Sequence, residues 1–248
     1  MSGHNKWAKV KHVKAKVDAQ RGRVFTRLIK EITLAARTGG GDENANARLR
    51  KAIQDAKAAN MPASNIDRAI KKGTGELEGV HYEEVTYEGY GPGGAAIILE
   101  VVTDNRNRAV ADIRHLFSKH GGTMAESGAV TWMFEKKGIF TVATEGHSED
   151  ELLEIVLDAG GEDLKYDPES SDILSAPGDF ESVKSAIEGK GLRLEKAEIG
   201  MYPKNVVKVE GKDAQQLLRL MDAVEDHDDV QHVYSNFDID LEVMSEMQ

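Results

Sequence analysis

The sequence predicts an α+β, multi-domain protein: an N-terminal three-helix bundle followed by two ferredoxin-like α/β sandwich domains, one inserted in the other. Three observations carry this expectation. Apolar residues in the first 75 positions recur at helical spacing, the period changes after Gly73-Thr-Gly75, and residues 137–201 alternate in the order β-α-β-β-α-β. A chain of 248 residues, 40% hydrophobic and 30% charged, is long enough to build several small cores.

In the first part, Phe25, Leu28, Ile29 and Ile32 fall at i, i+3, i+4 and i+7, the apolar stripe of a helix over 24–37. Thr38-Gly-Gly-Gly41 ends it, because glycine takes the post-helix conformations that other residues resist. Leu49, Ala52, Ile53 and Ala56 predict a second helix over 44–59. After Pro62, Ser64 with Asp67 three residues on predicts a capped third helix that Gly73 closes. Arg48, Arg50, Lys51, Lys57, Arg68, Lys71 and Lys72 are then expected on the outer surface of the bundle.

Beyond Gly75 the pattern reads as strands 83–87 and 94–103, a helix carrying Val110, Ile113, Leu116 and Phe117, and a third strand at 129–134. The split β-α-β-β-α-β follows. Its first helix, 148–159, opens with Ser148 and Glu151 as a capping box, and its second spans 180–188. A strand at 205–210, a helix at 213–225 and a strand at 230–237 close the chain. The expected organisation is a basic arm and helical bundle in 1–75, a discontinuous α/β domain in 76–135 and 204–248, and an inserted domain in 136–203.

Charge is segregated along this order. Residues 1–75 carry 17 Lys/Arg against 6 Asp/Glu, while residues 76–248 carry 15 against 37. A net of +11 joined to a net of −22 predicts a polyanion-binding part attached to an acidic, solubilising part. Mutual neutralisation of the two parts is the bland alternative. No run of about eighteen apolar residues predicts a membrane span, and the basic start lacks the apolar stretch of a signal peptide, so the cytoplasm is the expected location. The absence of cysteine excludes disulfides, thiol nucleophiles and zinc-thiolate sites.

No enzyme is expected. Gly89-Tyr-Gly-Pro-Gly-Gly94 matches a dinucleotide fingerprint by letter, but it precedes a strand and opens no helix, so it reads as a turn between antiparallel strands. His227 and His232, with Glu225 and Asp226 before them, read as a solvated acidic turn rather than a metal site. Neither a hydrolase-type serine nor a distinct carboxylate pair emerges. No cofactor, metal or small-molecule substrate is expected.

The candidate nucleic-acid contacts lie chiefly in the leading arm. Lys6, Lys9, Lys11, Lys14, Lys16, Arg21, Arg23 and Arg27 oppose a single acid, Asp18, and such a run neutralises phosphates and releases condensed counterions. Trp7 offers a face for an unpaired base, or else plugs a domain core. His12 can donate to phosphate or stack. In Thr103-Asp-Asn-Arg-Asn-Arg108, Arg106 and Arg108 can reach phosphate or pair with Asp104, Asp112 or Glu100.

These residues closely resemble the YebC/PmpR family of probable transcriptional regulators, whose mitochondrial relatives act as translational activators. Gly3-His-Asn-Lys-Trp7, Lys11-His12 and Arg21 to Ile32 look like its N-terminal signature. Gly39-Gly-Gly41, Asn46 to Arg50, Glu88 to Gly94, Thr103 to Arg108 and Gly128 to Phe134 continue it in order along nearly the whole chain. Val13 and Val17 stand where relatives often carry a basic or small residue. The resemblance implies a three-domain, mainly cytoplasmic protein without catalytic residues. It implies either a DNA-binding regulator of transcription or a ribosome-associated factor that helps translation past difficult stretches. The partner it implies is then DNA, or ribosomal RNA together with the ribosome itself. No segment looks like a recognition helix with base-reading residues at its start, and an arm with a tryptophan suits RNA at least as well.

Overall fold

The computed structural model describes Trp7 and residues 17–240, with the backbone alone over 17–21. Within residues 17–240 three helices come first: α1 (Val17–Gly39), α2 (Ala47–Ala58) and α3 (Ala63–Thr74). Their core is built of small residues, with Ala35, Ala36, Ala52, Ala56 and Ala69 around Ile32, Leu49, Ile53 and Ile66. The predicted stripe of Phe25, Leu28 and Ile29 packs against it. Small residues let the helices approach closely, and the limit is Gly73, where a Cβ would lie 2.4 Å from the Thr33 carbonyl oxygen. Gly73 is therefore a packing residue inside α3; Gly75, at φ 84°, follows the helix end. Ser64 makes no cap, since α3 opens at Pro62 without a side-chain acceptor. Asn46 is the strong cap: its Oδ1 accepts from Leu49 N at 3.0 Å, and its Nδ2 donates to the Ala35 and Gly40 carbonyls, tying α1 to α2.

The middle unit is an antiparallel sheet in the order β3-β1-β2-β9, from β1 (Glu83–Tyr90), β2 (Ala96–Thr103), β3 (Thr123–Ala125) and β9 (Val230–Ser235). Two helices, α4 (Arg106–Lys119) and α7 (Gly211–Glu225), cover one face, where Ile97, Leu99 and Val101 meet Ile113, Phe117, Leu217 and Met221. On the other face Ala96 and Ile98 pack with Val130, Phe134 and Tyr234, so β2 is buried on both sides. Gly91 to Ala95 forms the β1–β2 turn, with Gly93 and Gly94 at φ 73° and 79°, the left-handed region that glycine adopts freely.

The strands differ from expectation at several places, and β3 at Thr123–Ala125 is unexpected altogether. Residues 129–133 do not form a strand, because Glu88 draws the N–H groups of Gly128, Val130 and Thr131 onto its carboxylate at 2.6, 2.7 and 2.9 Å, away from any ladder. A 3₁₀ turn, Thr131–Met133, results. The 205–210 strand shrinks to β8 (Val207–Lys208), paired in parallel with β10 (Phe237–Asp238) apart from the main sheet.

β4 (Phe134–Ala143) leads into a second antiparallel sheet, β5-β6-β4-β7, with β5 (Asp163–Lys165), β6 (Ser170–Ser175) and β7 (Leu194–Pro203). Helices α5 (Glu149–Asp158) and α6 (Phe180–Gly189) intervene, so the element order and strand order are those of the ferredoxin-like split β-α-β. The capping box is present: Ser148 N donates to Glu151 Oε2 at 2.8 Å and Glu151 N to Ser148 Oγ at 3.4 Å. Phe140 and Phe180 stack at 4.9 Å in its core. β4 and β7 pair from Phe134↔Pro203 to Val142↔Leu194, and this two-stranded arm joins the units.

Candidate nucleic-acid interface

On a helix, Arg23, Arg27 and Lys30 fall at i, i+4 and i+7, one basic stripe along α1. The turn between α7 and β9 carries Glu225-Asp-His-Asp-Asp229. The fold brings the two together. Arg23 Nη1 pairs with Asp226 Oδ2 at 2.9 Å in an exposed contact, and Arg27 Nη2 donates to the Glu225 carbonyl and, at 3.4 Å, to that of His227. Burial lowers the pKa of Arg27, with Glu225 and Asp226 opposing the shift.

Lys30 and Asp229 form the centre of the contact. Their side chains are 8% and 5% exposed, and Lys30 Nζ lies 2.5 Å from Asp229 Oδ1 and 2.9 Å from the Asp228 carbonyl. The other carboxylate oxygen of Asp229 accepts from Thr103 Oγ1 and Arg108 Nη2, each at 2.9 Å. Burial acts to raise the pKa of Asp229, but the hydrogen bonds from Lys30, Arg108 and Thr103 prevail and hold it below the usual carboxylate value. Asp229 N donates to His227 Nδ1 at 3.1 Å, and His227 Nε2 faces Asp112 at 3.7 Å. A cleft lined by Arg23, Lys30, Tyr82, Asp104, Arg108 and Asp228 opens beside this knot. A second polar bridge lies further along the bundle, where Arg48 donates to both oxygens of Glu31 at 2.6 and 2.9 Å and reaches Glu84 at the start of β1. These bonds make Arg48 a half-buried tie between units and not an outer decoration, and both carboxylates raise its pKa.

The expected contacts therefore divide into groups. Lys6, Lys9, Lys11, His12, Lys14 and Lys16 lie outside the described residues, as does the side chain of Arg21. Trp7 is 3% exposed and belongs to the core of the middle unit, with Ile97, Phe117, Leu217 and Phe237. It is the plug and has no face to offer a base, because both sides of the ring are covered. Arg23 and Arg27 are committed to the acidic turn, and Arg108 pairs with Asp104 at 2.7 Å as well as Asp229. Within Thr103 to Arg108 the capping alternative also holds: Asn105 Oδ1 accepts from Arg108 N at 3.1 Å. Arg106 alone of the expected residues with described side chains is exposed without such a commitment, and it stands beside Tyr87, whose hydroxyl donates to its carbonyl at 3.4 Å. Lys30 and Asp229 escaped the sequence reading. The signal for them was a basic stripe at helical spacing matched in length by the acidic turn.

Comparison with known proteins places this architecture. The model of the TACO1/YebC protein N-terminal domain matches residues 5–76, and that of the TACO1/YebC second and third domain matches residues 82–237. A protein of Desulforapulum autotrophicum named probable transcriptional regulatory protein is 54% identical over 247 residues, 100% of each chain. One of the same name from Koribacter versatilis is 57% identical over 240 residues, covering 97% of this chain and 96% of that one. The crystal structure of a conserved hypothetical protein from Aquifex aeolicus superposes with a TM-score of 0.80 at 48% identity, covering 92% of this chain and 94% of that one. With both family models matched in order and relatives alike from end to end, the chain belongs to the TACO1/YebC family.

Proposed function

We propose that this chain is a non-enzymatic, nucleic-acid-binding regulatory factor of the cytoplasm, acting on DNA as a regulator of transcription. The segregation of charge carries the reading: +11 over residues 1–75 against −22 over the remainder. The name its relatives bear, probable transcriptional regulatory protein, agrees with it. The contact set is narrower than the leading run of cations. The α1 stripe is spent on the acidic turn, so Lys6, Lys9, Lys11, Lys14, Lys16 and Arg21 are the phosphate contacts, with His12 donating and Arg106 as an outlying cation. In this reading residues 1–75 approach the polyanion, and the unit of 76–135 with 204–248 holds them through Lys30–Asp229 and Arg48. The inserted unit, 136–203, is kept away from it.

Binding to duplex DNA tests the proposal. Five to six neutralised phosphates give a slope of log K against log salt of about −4.5 to −5.4. An affinity independent of salt refutes the electrostatic basis. A ribosome-associated, RNA-binding role in translation rests on the same lysines and on the lack of a recognition helix with base-reading residues. Crosslinking in cells with sequencing of both nucleic acids separates the two, by promoter peaks in one case and ribosomal RNA in the other. An acidic scaffold for basic partners is the reading that survives if deletion of residues 1–20 leaves partner capture intact.

A further inference from the structure

With Trp7 buried, the chain still presents an aromatic surface elsewhere. Trp132 is 64% exposed, and Tyr90, at the end of β1, is 36% exposed. Both rings hang on one atom: Trp132 Nε1 donates to the Ala129 carbonyl at 3.0 Å and Tyr90 Oη donates to the same oxygen at 3.2 Å. Their polar ends are thus satisfied while ring surface faces solvent. The loop that carries Ala129 is held by Glu88, a buried carboxylate that accepts from Gly128, Val130 and Thr131 N–H. Burial alone would raise the pKa of Glu88, yet these bonds bring it below the ordinary value, so the clamp is charged at neutral pH. The 3₁₀ turn is further fixed by Lys204, whose N donates to the Met133 carbonyl at 2.9 Å and whose Nζ donates to that of Trp132 at 3.1 Å. An ammonium has three donors, so two remain for a ligand.

We propose that Tyr90 and Trp132 form a stacking platform for unpaired bases of single-stranded nucleic acid, with Lys204 contacting the phosphate beside them. This deepens the nucleic-acid reading above and rests on it. Preorganised rings lose little freedom on binding, and base–aromatic stacking adjoining a cation is how single strands are held without sequence preference. A basic protein segment is the poorer occupant, because Lys204 would repel it, the clamp acid Glu88 is buried with its charge already satisfied, and Glu135, which lines a cleft with Lys204, already pairs with Lys137.

The test uses the full chain, an oligouridine of about twelve nucleotides and an RNA duplex of matched length. The chain has two tryptophans, and the ligand-induced fluorescence quenching lost between the parent and Trp132→Phe reports Trp132. Oligouridine is expected to quench the emission and the duplex to leave it nearly unchanged. Trp132→Ala is expected to weaken oligouridine binding by about 5- to 150-fold, with duplex affinity and melting as in the parent, and Trp132→Phe to recover most of the loss. An unquenched Trp132, or Trp132→Ala binding oligouridine as tightly as the parent, overturns the platform even where the steep salt slope on duplex DNA upholds the arm. Loss of oligouridine binding in Trp132→Ala together with a flat salt slope upholds the platform and removes the arm. No binding to any of the three nucleic acids removes both.

Discussion

Lys30→Met tests the junction between the helical bundle and the middle unit most directly. The substitution keeps the length and apolar stem of the side chain and removes only the ammonium, which lies 2.5 Å from Asp229 and 2.9 Å from the Asp228 carbonyl. Breaking a buried pair from one side costs about 3–5 kcal/mol, because the surviving charge stays out of water. Asp229 retains Thr103 and Arg108 at 2.9 Å each, which places the loss at the low end, about 3 kcal/mol. Arg23→Ala provides the contrast: that pair is 35% and 53% exposed, and its loss is expected to cost less than about 1 kcal/mol. Guanidinium denaturation followed by the emission of buried Trp7, in a Trp132→Phe background, measures both. A loss under about 1 kcal/mol for Lys30→Met would refute the claim that this pair holds the bundle in place. The pH dependence has a definite sign. The pKa of Asp229 is lower in the folded chain than in the unfolded one, so its contribution is complete above the unfolded value and disappears as pH falls through the folded one. Lys30→Met should therefore approach the parent in acid and differ most near neutrality.

Trp7→Ala is expected to cost the middle unit about 3–5 kcal/mol through loss of a buried aromatic, seen as a lower melting temperature without nucleic acid present. An unchanged melting temperature would contradict its place in the core. Glu88→Gln leaves three N–H groups with one carbonyl oxygen in place of a carboxylate, at a cost of about 1–3 kcal/mol. Amide exchange at Gly128, Val130 and Thr131 should accelerate, and protection equal to the parent's would show that the carboxylate does not hold the loop. Because its folded pKa is depressed, the Glu88 contribution also disappears as pH falls, never as it rises. Asn46→Ala removes an N-cap, one bond to α1 and one to the glycine that follows it, and a loss of about 1–2 kcal/mol in the bundle, read by helix circular dichroism, is expected.

What the sequence shows of the fold follows the range of the interactions. The α1 stripe, the capping box at Ser148 and Glu151, and the split β-α-β order were legible because each is a pattern within a few residues. The errors arose where a group outside the local pattern overrode it. Residues 129–133 look like a strand until Glu88, some forty positions earlier, takes their N–H groups. Ser64 looks like a cap, but Pro62 sets the start of α3 and Asn46 makes the stronger cap at the neighbouring helix.

The candidate site divides in the same way. Composition alone determined that the chain is cationic at its start and anionic afterwards, since charge is counted without knowing who faces whom. Which cations remain available was decided by tertiary structure. Lys30 and Asp229 are 199 positions apart, and only the packing of α1 against the α7–β9 turn makes them one buried pair and sets Arg23 and Arg27 against that turn, while Arg108 reaches Asp229 from the start of α4. Likewise a tryptophan's letter is the same whether its ring is covered or bare. Burial of Trp7 and exposure of Trp132 follow from what the sheet and its two helices enclose, a property of the assembled layers and of no local segment.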